Sequence, residues 1–329
     1  MLVIDAAAVR ALLPMAEAVA CMRAALARYG AGEATQPLRA VLAPPGGPGL
    51  LAVMPAWAGA DQGGFGVKAV AIYPGNPALG LDPHQGAVTM FDPRTGVPTA
   101  VLDAAAVTEI RTAATSAVAT DALARLDAGD LAILGAGVQA RSHLEAMAVV
   151  RPLRRVRVWN RTAARAEQLA AWAGDRFGAQ VEVAGSVAAA LDGADLICTT
   201  LACVEPVVTA GMVAPGAHLN AVGACVPDSR ELATEVVAGA TVVVDSRESA
   251  LAEAGDLLIP VRAGLLNPGH IAAELGEVLL GRHPGRTRDD EVTLFESLGL
   301  AVEDVAAGHH VELAARRRSV GVEVPLTDA

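Results

Sequence analysis

Lys68 is the only lysine of the 329-residue chain; every other member of its 25 Lys and Arg residues is arginine. A desolvated ammonium can release its proton whereas a guanidinium effectively never does, so a solitary lysine is a candidate proton donor or orienting group. The alternative is a strand residue whose stem snorkels along apolar surface. A second set of residues points to phosphate. The β-prone run Leu131–Leu134 leads into Gly135-Ala136-Gly137-Val138-Gln139-Ala140, and a helical stretch through Val150 follows at once. Gly135 permits a tight turn, Gly137 lets backbone N–H groups approach a pyrophosphate, and Ala140 replaces the third glycine of the dinucleotide fingerprint, where helix and strand pack closely. A merely structural turn is the other reading of these residues.

The end of the following strand discriminates between dinucleotides. NAD-specific sites place Asp or Glu there for the ribose 2′-hydroxyl, but this strand ends Trp159-Asn160-Arg161-Thr162, without a carboxylate. Arg161 can pair with a 2′-phosphate, Asn160 and Thr162 can donate hydrogen bonds, and Arg165 adds charge one helical turn onward. NADP(H) is therefore expected over NAD(H), the alternative being that these are solvated surface residues.

The elements that must position these residues divide the chain in two. In the first part Leu2–Ile4 reads as a short strand, and Met15, Val19, Met22 and Leu26 give a helix with one apolar stripe that stops near Gly30. Strand-like runs follow at Leu38–Leu42, Leu50–Met54, Phe65–Ile72, Ala87–Phe91 and Thr99–Leu102, separated by Pro- and Gly-containing turns, which predicts an antiparallel sheet region. Val107–Leu126 lacks Gly and Pro and predicts a long helix. From Asp130 strands alternate with helices, at Leu131–Leu134, Val156–Trp159, Gln180–Val183, Asp195–Thr199, His218–Val222 and Thr241–Asp245, which predicts a doubly wound parallel sheet. Helices are expected near Ile271–Leu280 and Leu300–Arg317. The fold class is thus α/β, a Rossmann-type sheet plus a mixed α/β domain, with residues 119–302 as the dinucleotide domain and 1–118, completed by 303–329, as the other.

Composition narrows the partners. A net charge of −11 provides no field to gather nucleic acid or an anionic membrane surface, so a small molecule is the expected partner. No apolar run has the roughly 18–20 residues of a membrane span, and Met1 opens into Leu2-Val3-Ile4 without a basic segment and cleavage site, so a cytoplasmic, soluble protein is expected. Cys21, Cys198, Cys203 and Cys225 are scattered without metal-ligand spacing, and Cys21 and Cys198 read as buried, reduced thiols.

Phe65-Gly66-Val67-Lys68, Glu109-Ile110-Arg111-Thr112-Ala113-Ala114, the Gly135–Ala140 loop, Asn160-Arg161-Thr162 and Asn220-Ala221-Val222-Gly223-Ala224 together resemble the ornithine cyclodeaminase/μ-crystallin family. The likeness continues through Pro227-Asp228-Ser229-Arg230-Glu231-Leu232, Val244-Asp245-Ser246, Ala273-Glu274-Leu275-Gly276-Glu277 and the segment from Leu298 to Asp304. It implies a homodimer whose mixed α/β domain, made from both chain ends, supplies the dimer interface and substrate pocket beside a Rossmann domain. It places Arg39, Lys68 and Arg111 in that pocket, with Met54 nearby. Their chemistry suits an α-imino or α-keto acid, because Arg grips a carboxylate through paired hydrogen bonds while Lys68 orients the substrate or assists proton transfer at nitrogen. For the two arginines a surface ion pair or a phosphate contact is the other reading. The resemblance also puts Arg111, Thr112, Thr199-Thr200-Leu201, Val222 and Ala224 along the dinucleotide. His84 is a further contact there, or a loop histidine.

Two departures narrow the reaction. Cyclodeaminases of the family have Glu where this chain has Ala52, and cyclodeaminases and alanine dehydrogenases typically have Asp at the position of Cys225. Asp228 occupies a different column. With Asn160-Arg161-Thr162 and Ala52, the sequence is more similar to the μ-crystallin side of the family, which implies NADPH-linked reduction of cyclic ketimines such as Δ1-pyrroline-2-carboxylate or Δ1-piperideine-2-carboxylate. Two alternatives stay open: deaminating chemistry, as an amino-acid dehydrogenase or cyclodeaminase, in which Cys225 or another residue replaces the Asp, and a non-catalytic protein that binds the dinucleotide or a ligand.

Overall fold

The computed structural model describes residues 1–326; the last three residues of the expected 303–329 segment lie outside them. The backbone divides into two compact units, Met1–Arg111 with the chain from Gly299 onward, and Thr112–Leu298, the division falling inside helix Ala104–Leu123.

The first unit is built on strands β1 (Leu2–Ile4), β2 (Ala40–Leu42), β3 (Leu50–Trp57), β4 (Phe65–Ile72), β5 (His84–Phe91) and β6 (Pro98–Asp103). With the C-terminal strand Val322–Glu323 they form one sheet in the order Val322–Glu323, β1, β6, β5, β4, β3, β2. All its pairs are antiparallel except β1 with β6. Helix Ala301–Arg318 packs across β3, β4 and β5, and against helix Met15–Ala31. It carries Glu303 and Asp304 in its first turn and Arg316, Arg317 and Arg318 in its last, which complements the helix dipole at both ends. Close approach to β4 depends on Gly66, where a Cβ would come within 2.6 Å of Val305.

The second unit holds β7 (Asp130–Leu134), β8 (Arg155–Trp159), β9 (Gln180–Val183), β10 (Leu196–Thr199), β11 (His218–Ala221), β12 (Thr241–Val244), β13 (Ile271–Glu274) and β14 (Thr293–Glu296). Every pair is parallel, in the order β13, β12, β14, β11, β10, β7, β8, β9. This is a Rossmann-type doubly wound sheet. Its core is aliphatic, with Ala132, Leu134, Leu219, Val242 and Leu294 at most 1% exposed. The chain leaves β7 toward β8 on one side and reaches β10 on the other, so the strand order reverses at β7 and opens a crevice at its carboxyl end.

Several elements differ from expectation. Ile271–Leu280 is not one helix: Ile271–Glu274 forms β13, and only Leu275–Leu279 is helical. Thr293–Glu296 adds an unforeseen strand between β11 and β12, giving eight strands rather than six. Short segments buried on both faces show no alternation, and periodicity cannot separate them from helix. Helix Met15–Ala31 passes through Gly30 because the left-handed stop falls at Gly32, φ 77°. The long helix starts and ends earlier than Val107–Leu126, β2 begins after Arg39, and His84 opens a strand. Cys198 is buried but Cys21 only partly so. Among the described residues no helix is long and apolar enough to cross a membrane.

Candidate active site

The first polar centre lies within the first unit. Alternation along β4 turns Gly66, Lys68 and Val70 to its buried face, so the lone lysine stands where the pattern otherwise calls for an apolar residue. Met54 on β3 and Val88 on β5 are its cross-strand partners. Only 3% of Lys68 is exposed. Its Nζ lies 2.8 Å from Asp304 Oδ2 and donates a longer hydrogen bond, 3.4 Å, to Thr108 Oγ1. Arg111, one helical turn after Thr108, donates from Nε to Asp304 Oδ1 at 2.9 Å and from Nη1 to Glu303 Oε2 at 2.8 Å. Asp304 thus bridges the two cations. Gly299 has φ 80°, and a Cβ there would overlap the Arg111 guanidinium. Its carbonyl accepts from Arg39 Nη2 at 3.1 Å.

These contacts set protonation. Burial draws the Lys68 ammonium down to about 8, against the pull of Asp304 upward, and the Arg111 and Arg39 charges push it further down. Burial also acts against the Arg111 charge, but Asp304 and Glu303 more than offset it and hold the guanidinium charged. Burial alone would raise Asp304, yet Arg111 and Lys68 keep it below the ordinary carboxylate range. Lys68 and Arg111 thus pair with Asp304 and Glu303, and Arg39 reaches the same centre through the Gly299 carbonyl.

The second centre lies at the carboxyl ends of the parallel strands. Gly135 has φ 122°, and a Cβ on it would overlap Thr200 Oγ1, so only glycine closes this turn. Its N–H donates to Trp159 O at 2.8 Å. Gly137 is the N-cap of helix Val138–Val150 and has no side-chain cap, and nothing lies within 4 Å of where its Cβ would be. The helix therefore offers backbone N–H groups at an open, positive end, which is what a pyrophosphate requires. Ala140 is fully buried beneath it. Past β8, Asn160 Nδ2 donates to Thr162 O at 3.0 Å, while Arg161 and Arg165 are exposed. Thr199 and Thr200 end β10 and follow it, Val222, Gly223 and Ala224 follow β11, and the Cys225 thiol donates to Val222 O at 3.1 Å. The residues of the Gly135 loop fit a dinucleotide.

The two centres bring together Lys68, Arg111 and Arg39 in one unit, and Gly135, Ala136, Gly137, Val138, Gln139, Thr199, Thr200, Leu201, Val222 and Ala224 on the loops of the other. Thr112 is buried on the long helix, while His84 is exposed beside Asp82, 3.8 Å from its Oδ1. Sequence reasoning missed Asp304, Glu303, Thr108 and Glu231. Two acids at the start of an alanine-rich helix suit the helix dipole wherever they lie, and nothing local marks them as fully buried.

A parallel sheet with a Gly-x-Gly first turn, joined to a mixed sheet that buries a lysine against a carboxylate, defines a Rossmann-type α/β protein with a separate ion-paired centre. The profile of the ornithine cyclodeaminase/mu-crystallin family matches residues 1–318, and the chain belongs to that family. It is 38% identical over 325 residues to a Delta(1)-pyrroline-2-carboxylate reductase of Bacillus cereus, covering 98% of this chain and 99% of the relative. It is 42% identical over 290 residues to the mouse ketimine reductase mu-crystallin, covering 87% and 88%. A Thermococcus litoralis Delta(1)-pyrroline-2-carboxylate reductase, solved in complex with NADH and L-proline, superposes with a TM-score of 0.95 at 34% identity, covering 98% of this chain and all of that one.

Proposed function

We propose that this chain, an oxidoreductase acting on C=N bonds, reduces cyclic ketimines of the Δ1-pyrroline-2-carboxylate and Δ1-piperideine-2-carboxylate type to L-proline and L-pipecolate. The observation that carries the reading is the buried Lys68–Asp304–Arg111 bridge, which holds a lysine ammonium and an arginine guanidinium side by side away from water. A reduced nicotinamide, when bound, supplies a hydride to the imine carbon. Arg39 and the remaining Arg111 donors hold the carboxylate, and Lys68 holds or delivers the proton that the ring nitrogen takes up. Asp304 aims the ammonium and strengthens its hold on the proton against the downward push of burial. The preformed C=N bond needs no ammonia elimination, which accords with the absence of carboxylates at Ala52 and Cys225. Deamination would need an acid–base group there, and the Cys225 thiol instead faces Val222 O.

Purified protein is expected to oxidise reduced nicotinamide when given either cyclic imine, followed by dinucleotide absorbance and by chromatography of the amino acid formed. No turnover of either imine with either dinucleotide removes this reading; release of ammonia from alanine or ornithine would favour deamination.

The Gly135 loop and the segment Asn160–Arg165 are read as the NADP(H) site, supported by exposed Arg161 and Arg165 and by the lack of an acid after β8. Replacing Arg161 with Ser is expected to weaken NADPH binding about tenfold, as for loss of a charge-assisted hydrogen bond, with little change for NADH. Equal effects on both dinucleotides in a fluorescence titration would show that Arg161 does not read the 2′-phosphate. A homodimer formed by the first unit is supported by its edge strand β2, where Val41 and Leu42 are 54% and 68% exposed. The four free cysteines accord with a reducing compartment such as the cytoplasm.

A further inference from the structure

Glu231 is a buried carboxylate that the chemistry above does not use. It is fully shielded, and its two oxygens accept hydrogen bonds from two loops at once. Oε1 accepts from the Leu201 N–H at 2.6 Å, after β10. Oε2 accepts from Thr199 Oγ1 at 2.7 Å and from the Gly223 N–H at 2.8 Å, after β11. Gly223 lets the loops meet, since a Cβ there would overlap Leu201 O and stand 2.5 Å from Glu231 Oε1. The backbone of Glu231 is itself held, because Asp256 Oδ1 accepts from the N–H groups of Glu231 and Leu232 at 3.0 and 2.8 Å.

What Glu231 clasps stands against the phosphate turn. Thr200 lies between the two residues it grips, donates from Oγ1 to Leu134 O at 3.0 Å, and fills the space where a Gly135 Cβ would be. We propose that Glu231 is a positioning residue for dinucleotide binding, a carboxylate clasp that fixes the loops after β10 and β11 and through Thr200 sets the shape of the Gly135 turn. This inference rests on the dinucleotide reading above. Two of its three donors are backbone N–H groups that cannot turn around, one on each oxygen. Glutamine would therefore set an amide N–H against one of them in either orientation, so an acceptor-only side chain is required.

The test is Glu231→Gln in the full chain, with dinucleotide dissociation constants from fluorescence titration, separate KM values for dinucleotide and imine, and thermal unfolding. A folded variant is expected to bind NADPH and NADH about tenfold more weakly or worse, as for a buried hydrogen bond lost with a donor left facing a donor, while the imine KM stays within about twofold. Dinucleotide affinity unchanged in a folded variant, or equal rises in both KM values, overturns the proposal. If Glu231→Gln does not fold, Thr199→Val serves, because the buried Thr199 hydroxyl is engaged by Glu231; there a severalfold rise in the dinucleotide KM supports the clasp and no rise overturns it. Failure of the unaltered protein to bind either dinucleotide would instead overturn the dinucleotide reading itself.

Discussion

Lys68→Met is expected to lower kcat by about two to four orders of magnitude, the range of a removed general acid, while NADPH still binds. Methionine keeps the stem's bulk against Met54 and Val88 but supplies no proton and no charge. The unaltered enzyme should show the same residue in its pH profile. Lys68 titrates near 8, so its acid form predominates below that value and is lost as pH rises through it. The rate should be level on the acid side of this limb and fall about tenfold per pH unit beyond it. Asp304→Asn removes the charge that raises Lys68, so the limb should move to lower pH. Stability is a separate readout: leaving a buried charge wholly unpaired costs about 3–5 kcal/mol, and because Arg111 still holds Asp304, Lys68→Met should lose less than that and unfold at a modestly lower temperature. An unchanged kcat, or a limb that stays in place in Asp304→Asn, would cancel the role given to Lys68.

The second large effect is expected at Gly135. Gly135→Val forces a β-branched residue to φ 122° and drives its side chain into Thr200, whose carbonyl oxygen would be 2.9 Å from the new Cβ. The turn must shift by an appreciable fraction of an ångström, and displacements of about 1 Å in such sites cost on the order of 100-fold. Binding of both dinucleotides should fall by about ten- to a hundredfold, while the Lys68 centre, in the other unit, keeps its ion pairs. Calorimetry with each dinucleotide measures it. Retention of tight binding would mean that the pyrophosphate does not sit on this turn.

Local order was legible where a residue's reason is local. The Gly135–Ala140 fingerprint, the strands flanking it, the absence of a carboxylate after Trp159 and the singularity of Lys68 are properties of neighbours in sequence, set by backbone sterics, periodicity and the chemistry of one side chain. What lies across the chain was decided by tertiary structure. Glu303 and Asp304 begin the last long helix, nearly 200 residues from Arg111, and only the packing of that helix over β3, β4 and β5 removes them from water and makes them partners of Lys68 and Arg111. Glu231 likewise becomes a clasp only when the parallel sheet sets the ends of β10 and β11 side by side. The physical reason is desolvation: an acid's character depends on which charges and donors surround it once water is gone, and a linear pattern does not carry that information.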